Sequence, residues 1–171
     1  MFAALAAHSL PEQSSAGRPF PSITKMRVPL LDIGMQDTSV YQTDTMWAHL
    51  KVYASGGEND MHAHPTEEHA FFILEGEAKF FLDDGITVMG TKYDCVHIPK
   101  GAIYRFQSTG AGNLVMLRIG TGKNCHLPGM ADERTDVNGK PFPHNPSQIA
   151  KGHDKPSFKP GKYWPDDAGK N

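Results

Sequence analysis

Three histidines stand close together near the middle of the chain, and their spacing is suited to binding a metal ion. Of the nine histidines in 171 residues, His62, His64 and His69 lie within one stretch of eight positions. Residues two apart on a β-strand project from the same face, so the imidazoles of His62 and His64 can converge on one cation. His69 follows a short connection, and an antiparallel return would place it beside the other two. Three neutral imidazoles on one side of a cation leave positions open for water, substrate or dioxygen.

The elements that must position these histidines are short β-strands. Asp84-Gly85, between two apolar runs, is a hairpin signal because glycine tolerates the positive φ of a tight turn. Many short strands with no long amphipathic helix between them predict an all-β sandwich or barrel. A parallel α/β sheet is disfavoured because its crossover helices are missing. The candidate strands are Met46–Ala54, Met61–His64, His69–Leu74, Ala78–Leu82, Thr87–Met89, Asp94–Ile98, Ile103–Gln107 and Leu114–Ile119.

Differences in composition and hydrophobic periodicity divide the chain into three parts. Residues 1–25 carry no sustained period and are interpreted as a flexible N-terminal segment, and residues 26–120 as the barrel. Residues 121–171 hold 7 of the 13 prolines, with aromatic residues scattered among them without a period. Too few apolar groups are present there for a second core. We interpret this part as an irregular, extended arm that packs on the barrel or on a partner subunit.

Composition and charge narrow the class of function. Lys and Arg (17) nearly balance Asp and Glu (19), and the formal net charge of −2 favours neither nucleic acid nor an anionic membrane as partner. No apolar run approaches the roughly 20 residues of a spanning helix, and the apolar start at Met1 lacks the basic residues of a secretory signal. Two cysteines form no disulfide framework, so we expect a cytoplasmic protein.

The histidine spacing resembles the first motif of the cupin superfamily, G-x5-H-x-H-x3or4-E-x6-G. His69 stands where that motif usually has Glu, and Glu68 is the rival for the slot, with seven residues instead of six before the last glycine. The matching positions are Gly56, His62, His64, His69 and Gly76.

The second cupin motif, G-x5-P-x-G-x2-H-x3-N, is matched at Pro99 and Gly101. Tyr104 occupies the slot of its metal-binding histidine. The resemblance covers about residues 46–119. It implies a double-stranded β-helix, or jelly roll, that holds a metal ion at His62, His64 and His69.

Two residues compete for the fourth position of the implied site. Tyr104 is interpreted either as a catalytic group, which ligates, donates or accepts a proton, or as a cavity-wall aromatic. His97 could ligate instead, although alternation with buried neighbours would turn it outward.

Other polar side chains near the cluster also have two interpretations. Glu67 and Glu68 are turn residues at the rim or contacts to a ligating imidazole. Arg105 and Arg118 anchor a substrate carboxylate or are solvated. His49 is expected to face solvent or another subunit.

The resemblance implies a metal-dependent enzyme that acts on a small molecule. Three-histidine sites resemble those of the diketone-cleaving and thiol-oxidising cupin dioxygenases. We therefore expect a dioxygenase of a small enolisable or aromatic carbonyl compound, with one divalent ion. Fe(II) is favoured, and Zn, Ni, Mn or Cu would also suit imidazole. The alternatives are a non-redox lyase, isomerase or cyclase that uses Tyr104 as base, and a binding module without catalysis. A homodimer is the family-like expectation.

Overall fold

The computed structural model describes residues 21–54, 59–122, 131–142 and 155–169. Gly56 of the predicted first motif and residues 1–20 of the predicted N-terminal segment lie outside the described residues, as does much of the predicted arm. The described ranges form ten β-strands: β1 (Val28–Ile33), β2 (Met35–Gln42), β3 (Met46–Tyr53), β4 (His69–Glu75), β5 (Ala78–Leu82), β6 (Thr87–Gly90), β7 (Cys95–Ile98), β8 (Tyr104–Ser108), β9 (Leu114–Thr121) and β10 (Ser157–Trp164).

The strands form three antiparallel sheets. A five-stranded sheet has the order β2-β3-β9-β4-β7, a three-stranded sheet has the order β6-β5-β8, and β1 pairs with β10. The all-β prediction is confirmed for the described residues. The turn at Asp84-Gly85 connects β5 to β6, where Gly85 has a φ of 79° as the hairpin signal requires.

The main core lies between the five-stranded and the three-stranded sheets. Its side chains come from β3, β4 and β9 on one side and from β5 and β8 on the other. Period-2 alternation sends every second side chain of these strands inward, which accounts for the apolar positions read from the sequence. The largest members are Tyr53, Phe71, Phe80, Tyr104 and Phe106.

A second apolar cluster lies on the outer face of the five-stranded sheet. Val28 and Leu31 of β1 pack there against Leu50 and Val52 of β3, with Trp164 of β10 beside them. Because the intervening residues of β3 point the other way, Trp47, His49, Lys51 and Tyr53 share the inward face of that strand. The polar residues of β3 therefore face the interior of the barrel.

The strand predictions from Met46 to Gly120 hold closely, with one exception. In place of the predicted strand Met61–His64, the chain makes single bridges, His62 to Tyr104 and Ala63 to Thr135. Strands β1, β2 and β10 were not predicted. β2 is polar along most of its length, so it lacks the alternation of a half-buried strand. β1 and β10 contain Pro29 and Pro160, and proline weakens the sequence signal for a strand.

In the described part of the chain, no helix has the length and apolar character needed to cross a membrane.

Candidate metal centre

A buried cluster of ligand-type side chains lies where the chain enters β4. His64, Glu67 and His69 are 2%, 2% and 1% exposed, and their ligand atoms lie within 4.8 Å of one another. The Nε2 atom of His69 is 3.1 Å from Oε2 of Glu67, and the rings of His64 and His69 are 4.1 Å apart between centroids. Two donors that bind one ion at right angles, each at about 2.1 Å, stand about 3 Å apart. The cluster therefore has the spacing of a metal site.

Glu67, which the motif comparison passed over, supplies the carboxylate of this cluster. It lies two residues before His69, so the two side chains leave the chain on the same side. Glu68 points the other way and its side chain is 54% exposed. Glu68 lies outside the converging group of the described residues. The alternation of positions 67 and 69 is the signal that would have found Glu67.

His62 lies beside the cluster rather than in it. Its ring centroid is 5.2 Å from that of His64, and its Nδ1–H donates to the carbonyl oxygen of Asp60 over 2.7 Å. Burial, with smaller contributions from Arg134 and Arg118, lowers the pKa of His62 to about 4 against the raising effect of the Asp60 carbonyl, so the ring is neutral near pH 7. The converging group in the described residues contains Glu67 where the sequence predicted His62. His62 instead makes an isolated antiparallel bridge to Tyr104.

A carboxylate from far along the chain holds His64. The Nδ1–H of His64 donates to Oε1 of Glu133 over 2.8 Å, and Oε2 of Glu133 accepts from the amide and hydroxyl of Thr66 over 2.8 and 2.6 Å. A carboxylate on the outer nitrogen of an imidazole fixes its tautomer and raises its basicity as a ligand. Sequence reasoning missed Glu133 because 69 residues separate it from His64 and no local pattern connects them.

Residues 131–142, named the strap here, cover the histidines from outside the sheets. Thr135 bridges to Ala63, and the ring of Phe142 lies 5.4 Å from that of His62. Arg134 binds both carboxylate oxygens of Asp132 and lies 4.7 Å from the centroid of Phe142. The strap therefore carries both the carboxylate that holds His64 and an aromatic wall beside His62.

Arg118 of β9 enters the same space from the five-stranded sheet. Its Nη2 atom lies 3.1 Å from both ring nitrogens of His69 and 3.4 Å from Nε2 of His64. A guanidinium only donates, so Nε2 of His64 and Nδ1 of His69 act as acceptors, while Nε2–H of His69 donates to the Glu67 carboxylate. Of the two interpretations of Arg118, the structure excludes the solvated one, since the side chain is buried.

A second ionic group lines the inward face of β3. Asp37 of β2 accepts from Nζ of Lys51 over 2.8 Å and from Nδ1 of His49 over 2.6 Å. Burial acts to raise the pKa of Asp37, but Lys51 and His49 together hold it well below its usual value. Burial lowers the pKa of Lys51, against the attraction of Asp37. His49 is thus turned into the barrel, where we had expected it to face solvent or another subunit.

Tyr104 lies at the start of β8 and is buried. Its backbone exchanges two hydrogen bonds with His62, and its ring lies 4.9 Å from that of His62 and 6.5 Å from that of His64. Burial raises the pKa of its phenol, against the lowering effect of Arg118 and Lys51. The phenol therefore keeps its proton at neutral pH and can donate a hydrogen bond beside the cluster.

A surface cleft of about 410 Å³ lies away from this cluster, between the loop at residues 109–113 and the end of β10. Its lining includes Gly76, Lys159 and Trp164 but no histidine or cysteine. Within the described ranges, the ligand-type side chains that converge are those of the buried cluster.

Comparison with known proteins agrees with this geometry. Residues 49–120 match the family described as the cupin domain. Over this range the barrel is similar to cupin domains. Over 52 residues, 30% of this chain, it is 38% identical to the uncharacterized protein YdbB of Bacillus subtilis (strain 168). That match spans 46% of YdbB, less than half of its length.

Solved structures show the same fold. KdgF from Halomonas sp. is similar with a TM-score of 0.50 and 14% identity, over 53% of this chain and 81% of that one. BH2720 from Bacillus halodurans has a TM-score of 0.50 and 18% identity, over 57% of this chain and 76% of its own. At these identities the likeness concerns the fold.

The cupin motif positions have clear structural roles. Gly76 has a φ of 79°, and a Cβ there would lie 2.7 Å from the backbone oxygen of Asn113, so only glycine is accommodated. In the second motif, the amide of Gly101 donates to the carbonyl of His64 over 2.9 Å. The turn between β7 and β8 thereby holds the histidine segment in place.

His97 does not reach the centre of this barrel. It lies on β7 with its side chain 59% exposed, and its nearest carboxylate is Glu68 at 3.9 Å. Ile98 beside it is buried, and alternation turns His97 outward. His97 therefore lies outside the converging group of the described residues.

The donor set fits a divalent cation. Two neutral imidazoles and one carboxylate form a group that non-haem Fe(II), zinc and related ions accept. An outer carboxylate on His64 is the support that such ligands usually have. Because Arg118 Nη2 lies on the ring nitrogens of both histidines, the guanidinium has to move when an ion binds between them.

Proposed function

We propose that this protein is a metal-dependent cupin dioxygenase that cleaves a small enolisable or aromatic carbonyl compound. The observation that carries the proposal is the convergence of three buried ligands, His64, Glu67 and His69, from a segment of six residues. Non-haem Fe(II) oxygenases hold their iron with two histidines and one carboxylate, and this ligand set leaves neighbouring coordination positions of the iron open. Fe(II) is accordingly the favoured ion.

The residues of this chain have separate tasks in the proposed reaction. His64, Glu67 and His69 would hold the ion, and Glu133 keeps His64 oriented. Tyr104 holds a phenolic proton close to His62 and His64. An ion held there would supply coordination positions for a substrate oxygen and for dioxygen, and would allow electron transfer between them.

The overall reaction balances without a further co-reactant. An enolisable carbonyl compound provides the electrons and dioxygen accepts them. One carbon–carbon bond breaks, and each oxygen atom ends in one of two carbonyl or carboxyl fragments. The protein contributes a buried site that excludes water and holds the substrate and dioxygen in the orientation needed for reaction.

A non-redox lyase or isomerase would need a base. Tyr104 was the candidate for that role, but burial keeps its phenol protonated, so it is better suited to donate a proton than to take one. In the proposed dioxygenase reaction, Tyr104 acts only as a donor of its phenolic proton or of a hydrogen bond.

The first test is metal analysis of protein purified without a metal-chelating tag. We expect about one equivalent of iron per chain. His64→Ala and Glu67→Ala should lose it while remaining folded by circular dichroism. His97→Ala is the matched control, because it removes an exposed imidazole outside the cluster. Full metal content in both cluster variants would contradict the proposed site.

The second test separates redox from non-redox chemistry. Oxygen uptake is followed with pentane-2,4-dione as an enolisable probe and phenylpyruvate as an aromatic one. Uptake that depends on probe and iron supports the dioxygenase. Conversion of either probe under argon, with zinc or manganese bound, would establish a lyase or isomerase instead.

A further inference from the structure

We propose that Trp47 and Arg118 form an anion-binding subsite on the inward face of the five-stranded sheet, where their Nε1–H and Nε–H groups bind a carboxylate or enolate oxygen of the substrate. Trp47 is 0% exposed and Arg118 is 4% exposed. Neither Trp47 Nε1 nor Arg118 Nε has an acceptor within the described part of the chain. Buried N–H groups normally have a partner, so two neighbouring ones without an acceptor indicate a ligand oxygen.

Register places the two donors side by side. Trp47 lies opposite Gly120, and Arg118 lies two residues before Gly120 on the same face of β9. The Cζ atom of Arg118 is 4.8 Å from the indole centroid of Trp47. The missing side chain at Gly120 makes room for the indole, because a Cβ there would overlap the ring.

The charge of the surroundings selects an anion rather than a neutral acceptor. Arg118 is permanently charged and its Nη2 contacts are with imidazoles. The nearby carboxylates already have partners: Asp37 contacts Lys51 and His49, Glu133 contacts His64 and Thr66, and Glu67 contacts His69. A negatively charged ligand oxygen could accept from the Nε–H of the Arg118 guanidinium. Because this position is buried, such a charge-assisted hydrogen bond is strong.

The subsite lies next to the candidate metal ligands. Arg118 contacts His69 through Nη2, while Nε–H, on the same edge of the guanidinium, has no acceptor in the described residues. The identity of the anion as substrate rests on the proposed function, but the anion site itself does not need an ion at the histidines. Its substrate class is a small compound with a carboxylate or an ionised enol.

The test is an NMR titration of the full chain with formate, performed on protein as purified and again after chelator treatment. Formate is small enough to enter any carboxylate site, and formamide is its neutral counterpart of nearly the same shape. We expect formate to produce a saturable shift of the Trp47 indole N–H and of the Arg118 Nε–H. Formamide should move neither signal, and Trp164 provides the internal control.

Arg118→Gln should weaken formate binding by at least tenfold, measured by the same Trp47 signal. Arg105→Gln is the matched control, because Arg105 lies over Phe81 on the other sheet and should leave the affinity unchanged. A Trp47 signal that formate leaves unmoved, or that formamide moves equally, would overturn the subsite. Loss of metal in His64→Ala with formate binding retained would separate the subsite from the metal proposal.

Discussion

Arg118 places a positive charge against the two imidazoles of the candidate centre. Its Nη2 atom is 3.1 Å from His69 and 3.4 Å from His64, so an ion bound at these nitrogens would lie within a few ångströms of the guanidinium charge. The guanidinium therefore competes with a metal ion for the same nitrogen atoms. In the substrate complex, an anion on the Nε side would offset this repulsion.

From that competition we predict that Arg118→Gln raises the affinity of the cluster for Zn(II) by about tenfold or more, since it removes a buried charge beside the ligands. Arg118→Lys retains the charge and should raise it less. The measurement is competition with a chromophoric chelator. An unchanged affinity for Zn(II) in Arg118→Gln would contradict the competition between the guanidinium and the metal ion.

Asp37 makes a contribution to stability that depends on pH. Its pKa in the folded protein is below its usual 3.8, so its contribution is complete above that value and is lost as pH falls further. Asp37→Asn leaves Lys51 buried without its carboxylate, and we predict a loss of about 3 kcal/mol in unfolding free energy at pH 7. Urea unfolding at pH 7 and pH 3 checks this, with a smaller difference expected at pH 3. Equal differences at both pH values would contradict it.

At the level of elements, β9 is the strand that brings the inward-facing side chains together. Gly120 lies opposite both Trp47 and His69, and a methyl group there would overlap the indole. We predict that Gly120→Ala lowers stability by about 1–3 kcal/mol and shifts the tryptophan emission, because the indole is fully buried and has no room to move. Gly110→Ala is the control, since a Cβ there meets only ordinary contacts.

The strap acts on the candidate centre through one carboxylate. Glu133→Gln keeps the shape of the side chain but removes the charge that His64 Nδ1–H donates to. We predict a 10–100-fold loss in metal affinity, measured by chelator competition, with Glu68→Gln as the exposed control. Equal affinities in the two variants would show that the strap does not tune the ligand.

For the whole molecule, folding and metal binding should be coupled. The cluster joins the entry of β4 to β9 and to the strap, so an ion that binds only the folded chain stabilises all three. We predict that chelator treatment lowers the melting temperature and that Zn(II) restores it. His64→Ala should show neither effect, and a metal-dependent shift in that variant would place the ion elsewhere. The expected homodimer stays a prediction, which light scattering checks.

Sequence patterning anticipated the features that depend on near neighbours in the chain. Strands from Met46 onward follow from period-2 alternation, and the positive φ at Gly76 agrees with the motif that singled it out. The proximity of His64 and His69 also follows, since only a short turn separates them. These properties depend on backbone geometry within a few residues, which local sequence largely determines.

The tertiary structure alone decided which side chains complete the site. Glu133 reaches His64 across 69 residues, and Arg118 and Lys51 point inward because β1 covers the other face of their sheet. Buried cations and a distant carboxylate have no local signature, since their cost or benefit depends on partners that only the folded chain brings near. A β-barrel with a histidine cluster follows from local sequence pattern, whereas long-range packing brought Glu133, Arg118 and Lys51 to the site.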